Sequence, residues 1–151
     1  MSRRHLILMR HATTAAGSGR DSDRPLTRRG QGEGHRVGER LRIDGPVPDR
    51  VLCSSARRCR ETWQSLAVGL AADTLPAIAL AFDDRLYNAS TGALIEAIQD
   101  EHEARVVLVL AHNPGISLLA LELGRSDAES EAALREGFAP ASLAVFEVNG
   151  P

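Results

Sequence analysis

Short apolar runs and longer stretches of helical period alternate along this chain. Leu6 to Met9, Arg50 to Cys53, Ile78 to Phe82, Val106 to Ala111 and Leu143 to Val148 have the length and branched or leucine-rich make-up of strands. Between them, "PLTRRGQGEGHRVGERL" predicts a helix after Pro25 with Thr27 as N-cap and Val37 and Leu41 as an apolar pair four residues apart. Its glycines, Gly30, Gly32, Gly34 and Gly38, lower the intrinsic helix propensity of that stretch. "RRCRETWQSLAVGL" sets Cys59, Thr62, Trp63, Leu66 and Leu70 along one face, as in a core-facing helix. "STGALIEAIQ" starts at a Ser90 or Thr91 cap and buries Leu94, Ile95 and Ile98, and "NPGISLLALEL" carries Pro114 where a starting helix tolerates it best. Gly124 to Glu136 is acidic and alanine-rich and reads as an exposed helix or loop. Strands alternating with helices predict an α/β domain with a largely parallel sheet.

Three of the strands end in chemistry. The run closing at Met9 is followed by Arg10 and His11, the one closing near Cys53 by "SSARR", and "VVLVLA" by His112. Ligands of open parallel sheets bind in the crevice beyond the carboxyl ends of the strands. Neighbouring strand ends would therefore gather two histidines and two or three arginines, among them Arg57 or Arg58, in one pocket. Like charges are brought together at a cost unless an anion neutralises them, and a tetrahedral phosphoryl group suits such a cage. An imidazole there can attack phosphorus, while guanidinium groups stabilise the equatorial oxygens.

Composition narrows the alternatives. At 151 residues and 43% hydrophobic the chain has the size of one domain, spanning 1–151. All 18 basic residues are Arg, which excludes Schiff-base lysine chemistry and a Walker-type phosphate loop. Fourteen of them lie in residues 1–75 against eight acids, so the second half is the acidic one. A net charge of −2 and 3% aromatic residues argue against nucleic acid or a membrane surface as partner. Two cysteines suit a reducing cytoplasm, and the run after "MSRR" is too short for a signal peptide or a membrane span, so the start reads as mature protein.

The residue six beyond Cys53 is Cys59 rather than Arg, so a cysteine-phosphatase loop fails. "GQGEGH" lacks the last glycine of a dinucleotide fingerprint and follows no convincing strand. No H-x-H or H-E-x-x-H occurs, so neither a metal nor another cofactor is expected. His5, His35 and His102 are read as surface or packing residues.

Together these stretches resemble the histidine phosphatase superfamily, also called phosphoglycerate mutase-like. "LMRHATT" is similar to its Arg-His-Gly signature with Ala12 in the glycine place, "RPLTRRG" to the Pro-Leu-Thr-x-x-Gly that follows, "SSARRCRET" to the segment of the second arginine, and "LVLAHNPG" to that of the second histidine. The resemblance implies a three-layer α/β/α sandwich, no metal, His11 as nucleophile, and Arg10, Arg58 and His112 as the phosphate pocket. Register from Thr62 selects Arg58 over Arg57. The short chain and "DSDRPLT" look most like the SixA-type phosphohistidine phosphatases, without the large helical lid of the sugar-phosphate mutases. An open pocket of that kind admits a phosphorylated side chain of another protein.

One position departs from the family. Its usual acid, a Glu, falls by register on Asn88, so either another acid serves or none is essential; the resemblance to the SixA-type pattern implies Asp21 as the substitute proton carrier, Asp23 as second choice and Arg24 as an additional anion contact. A phosphohistidine leaving group needs less acid assistance than an alkoxide. The expected function is thus a metal-independent phosphatase acting on phosphohistidine or a small phosphomonoester through a phosphohistidine intermediate. Its rivals are a sugar or nucleotide phosphatase and a non-catalytic phosphate sensor. A monomer is the default oligomeric state.

Overall fold

Leu6, Leu8, Val107 and Val109 alternate with Ile7, Met9, Leu108 and Leu110, and the two sets are buried on opposite faces of one sheet. Runs apolar at every position are what a parallel sheet covered on both sides requires. This computed structural model describes residues 3–17, 19–71, 73–125, 127–135 and 137–149. Strands β1 (Arg3–Arg10), β2 (Arg50–Ser54), β3 (Ala79–Asp83), β4 (Val106–Ala111) and β5 (Leu143–Asn149) lie in the order β3-β2-β4-β1-β5. The first four are parallel, and β5 runs antiparallel to β1.

Helices α1 (Arg28–Asp44) and α2 (Arg57–Leu70) cover one face with Leu41, Trp63, Leu66 and Leu70. On the other face α3 (Thr91–Gln99) and α4 (Gly115–Leu123) bring Leu94, Ile116 and Leu119. The layers are those expected, α/β/α, and no large helical lid is present among the described residues. The acidic stretch from Gly124 resolves into α5 (Ala128–Arg135) against α4, while Ser126 and Glu136 within it lie outside the described residues. No helix among the described residues is long and apolar enough to cross a membrane.

Local signals hold in detail with two corrections. Thr27 caps α1 by accepting from Gly30 N at 3.0 Å, and Ser90, not Thr91, caps α3 by accepting from Ala93 N at 3.2 Å. Pro114 is the N-cap of α4 rather than its first helical residue. Ile95 and Ile98 are only partly buried, because Leu94 and Ala97 form the face that α3 turns inward.

The glycines of α1 have a tertiary role that propensity hides. A Cβ at Gly38 would lie 2.1 Å from Leu66 O, and one at Gly69 of α2 would lie 2.2 Å from His35 O, so the two helices meet backbone to backbone. At Gly32 a Cβ would meet only the end of Arg36, at 3.4 Å. We expect Gly38→Ala to destabilise by about 2–3 kcal/mol, since overpacking outweighs the roughly 1 kcal/mol gain in helix propensity. Gly32→Ala should stabilise by up to ~1 kcal/mol. Urea denaturation of the two variants checks the opposite signs.

Candidate active site

Sheet register brings the two histidines together. Arg10 of β1 pairs with Ala111 of β4, so the next residues, His11 and His112, stand side by side with ring centroids 5.4 Å apart. Cys53 pairs with Leu110, so Ser54 stands level with Ala111, and its Oγ reaches Nε2 of the following residue, His112, at 2.7 Å. Arg58 enters from the first turn of α2 and is 3% exposed, with its guanidinium carbon 5.6 Å from the Tyr87 ring centroid. The three strand ends read from the chain therefore converge, because β2, β4 and β1 are adjacent in the sheet.

The loop after His11 is held from several sides. His11 Nδ1 donates to Ala12 O at 2.8 Å, and a carbonyl can only accept, so the ring proton of neutral His11 sits on Nδ1 and Nε2 keeps its lone pair. Ala12 N donates to Thr62 Oγ1 at 3.0 Å, and Thr13 donates to Glu33 through both N and Oγ1 at 2.9 Å. Gly30 packs so closely on this loop that a Cβ would fall 2.2 Å from Thr13 O. Glu61 joins the next loop to α2, accepting from Leu26 N at 2.9 Å and from Arg57 Nε at 2.8 Å. That pairing leaves Arg58, rather than Arg57, at the site.

Charge accumulates around the imidazoles. Burial first, then the positive charges of Arg58, Arg10 and Arg24, bring His11 down to about 4; burial, Arg58 and His11 bring His112 down to about 3. Both rings are therefore neutral at physiological pH. Their folded values lie below the ordinary 6.5, so protons bind the unfolded chain first as pH falls. Stability is expected to decline from about pH 6.5 down to about pH 4 for His11, and further for His112, and to be regained as pH rises again. Melting temperature against pH checks this, and His112→Asn should make the decline shallower throughout and end it near pH 4.

Several donors are left over. Arg10 Nε, Arg58 Nε and His112 Nδ1 are buried with no hydrogen-bond partner, although Arg10 Nη1 reaches Phe138 O at 2.9 Å. Ser54 Oγ accepts from Ala56 N at 3.3 Å. Ser54 Oγ also shares a hydrogen bond with His112 Nε2 at 2.7 Å, and in the tautomer where Ser54 donates, the proton of neutral His112 lies on Nδ1 as another free donor. Unmatched buried donors cost on the order of 1–3 kcal/mol each, and a polyatomic anion is the group that would satisfy them together. Among the described residues, no group of three His, Cys, Asp or Glu is placed to hold a metal ion.

Asp21 and Arg24 are also at this site, in a form the chain alone does not reveal. Arg58 donates to Asp21 O at 2.8 Å and to Asp21 Oδ2 at 3.1 Å, Arg24 Nε lies 3.2 Å from Asp21 Oδ1, and Tyr87 donates to Asp21 Oδ2 at 2.5 Å. The Tyr87 hydrogen bond, followed by the Arg58 and Arg24 charges, lowers the Asp21 carboxyl below its ordinary range. Asp21 is thus a carboxylate rather than a stored acid. Asn88 is exposed, with φ 50°, and its neighbour Tyr87 is the residue of that segment which meets His112, edge-on at 5.5 Å between centroids. Asp23 lies outside this cluster, in an adjoining cavity with Arg20 and Arg60. Reading the chain did not single out Tyr87, Ser54 or Glu33; the only signal for Tyr87 was its place beside Asn88.

Known proteins resemble this chain in sequence and fold over most of their length. The model of the histidine phosphatase superfamily (branch 1) matches residues 6–87. The uncharacterized protein MT1313 of Mycobacterium tuberculosis is 35% identical over 147 residues, covering 94% of this chain and 88% of that protein. Among solved structures, SixA from Nakamurella multipartitia superposes with a TM-score of 0.84 at 30% identity, covering 97% of this chain and 86% of its own. SixA from Agrobacterium tumefaciens superposes at 0.82 and 29%, covering 94% and 90%. With the two neutral imidazoles and the arginines around them, these matches lead to one conclusion: the chain belongs to the histidine phosphatase superfamily, as a phosphatase of SixA-like architecture.

Proposed function

We propose that this chain, a single domain over 1–151, hydrolyses phosphohistidine on a protein through a phosphohistidine intermediate of its own on His11. The observation that carries this reading is the His11 tautomer: Nδ1–H is committed to Ala12 O, and the Nε2 lone pair stands among the charges of Arg10, Arg24 and Arg58. In the first step His11 Nε2 forms a bond to phosphorus as the bond to the leaving nitrogen breaks. A substrate imidazole protonated on its other nitrogen departs neutral, so no strong acid is required from the Asn88 position. Arg10, Arg58 and His112 hold the phosphoryl oxygens, with Arg24 as an outer anion contact. In the second step water attacks phosphorus, Asp21, held as a carboxylate, takes a proton from that water, and inorganic phosphate leaves with His11 restored. The relatives from Nakamurella and Agrobacterium bear the name of phosphohistidine phosphatases, which supports the same substrate class. Two free, buried thiols, Cys53 and Cys59, fit a cytoplasmic protein.

The exposed Asn88, with no carboxylate in the family's acid position, favours a second reading as a phosphate sensor without turnover. Brief exposure to phosphoramidate, an alkaline quench and peptide mapping separate the two. A phosphoryl group on the peptide containing His11, disappearing as phosphate accumulates, is the expected result. Neither adduct nor phosphate release, with retained anion binding, would replace the enzyme by the sensor.

A further inference from the structure

The cage does not end at Tyr87. Tyr87, against His112 and Asp21, also forms one wall of a cavity of about 480 Å³ that Arg20, Asp23 and Arg60 line. Asp23 and Arg60 in turn line a second cavity of about 300 Å³ with Gln64, and Gln64 lines a third of about 300 Å³ with Gln31, Ser65 and Val68. The shared walls make one groove. Its floor is a single face of α2, because Arg57, Arg60, Glu61, Gln64, Ser65 and Val68 recur at intervals of three and four. The eleven steps of helix from Arg57 to Val68 measure about 16 Å. That length fits about five residues of extended chain and exceeds what a small phosphate ester needs.

The charge along the groove is uneven. Arg57 is neutralised by Glu61 at 2.8 Å. Among the described residues the guanidinium groups of Arg20 and Arg60 have no hydrogen bond or ion pair, and neither does the carboxylate of Asp23, so the end beside Tyr87 carries a surplus of positive charge. Further along, Gln31, Gln64 and Ser65 offer neutral hydrogen-bonding groups, and Val68 is 69% exposed.

We propose that this groove is the docking surface for the phosphorylated protein: the segment carrying the phosphohistidine lies along α2, and a glutamate or aspartate next to the phosphohistidine meets Arg20 and Arg60. The proposal rests on the phosphatase reading and adds the sequence preference of its substrate. A phosphoryl group alone reaches the cage without touching the groove, so hydrolysis of a minimal substrate and of a peptide are separable.

The test uses phosphoramidate and two phosphohistidine peptides of ten residues, one with glutamate on both sides of the phosphohistidine and one with glutamine there. The wild-type protein is expected to show kcat/KM about tenfold higher for the glutamate peptide, an advantage that fades with added salt. In the double variant Arg20→Ala, Arg60→Ala the ratio should fall to about one while phosphoramidate hydrolysis is unchanged. Val68→Asp should lower kcat/KM for both peptides and leave phosphoramidate unaffected. Equal rates on the two peptides in the wild type, or a preference that survives the double variant, would overturn the groove and leave the phosphatase intact. Faster hydrolysis of a small phosphorylated carboxylic acid, dependent on the same arginines, would also overturn it in favour of a small substrate. If the wild type does not hydrolyse phosphoramidate, the phosphatase reading fails instead, and fluorescence anisotropy of the two labelled peptides still decides whether the groove selects the acidic one.

Discussion

His11→Ala is expected to lower kcat/KM for phosphoramidate at least about 10⁴-fold and to abolish the alkali-stable adduct, with a melting temperature near that of the wild type. Loss of a covalent nucleophile removes the two-step route altogether, and what survives is the stabilisation that the cage offers to direct attack by water. The fold should tolerate the change, because the ring contributes one hydrogen bond, to Ala12 O, and is itself kept neutral by burial and by three guanidinium charges. Removing it relieves that desolvation while opening a small cavity, two effects of opposite sign. The Ala12 loop keeps its anchor to Thr62, and the next residue keeps its anchor to Glu33. Added imidazole should restore part of the turnover, since the freed space lies where the nucleophilic nitrogen stood. Retained activity without imidazole would remove His11 from the nucleophile role, and a collapsed melting transition would assign it to structure.

The parts of this site legible in the chain are those that an abrupt change of pattern announces. An apolar run that stops at Arg10 and His11, and another at His112, shows a strand end with polar chemistry, and parallel packing then dictates that these ends share a crevice. Contacts between elements remote in sequence leave no such mark. Tyr87 reaches Asp21 across 66 positions and Ser54 reaches His112 across 58, and neither tyrosine nor serine stands out locally. Asp21 shows the consequence: the family resemblance implies a proton carrier there, whereas Tyr87 and Arg58 make it a carboxylate. The glycines of α1 show the reverse. Propensity reads them as weakening the helix, but the closeness of α1 to α2 and to the Thr13 loop leaves no room for a side chain at Gly38 or Gly30.

Arg58→Ala should cost about 10³-fold or more in kcat/KM, with the loss falling mainly on kcat. Charge spreads over the equatorial oxygens as phosphorus passes between the leaving atom and His11, so a buried guanidinium interacts more strongly with the transition state than with the bound substrate. Arg58→Lys keeps the charge but loses the planar fork, and is expected to recover only part of the rate. The variant differs from His11→Ala in that the covalent adduct still forms, slowly, because the nucleophile remains. It also carries a second signature. Arg58 is one of the groups that hold the Asp21 carboxyl low, so its removal raises that pKa, and the acid side of the pH profile of kcat should move toward higher pH. Tyr87→Phe, which removes the largest of the lowering influences on Asp21, should move it in the same direction while leaving the phosphate cage whole. An unchanged profile in both variants would separate Asp21 from the proton traffic; a shift in both, with the rate loss confined to Arg58, would assign phosphoryl stabilisation to the arginine and the proton of the attacking water to Asp21.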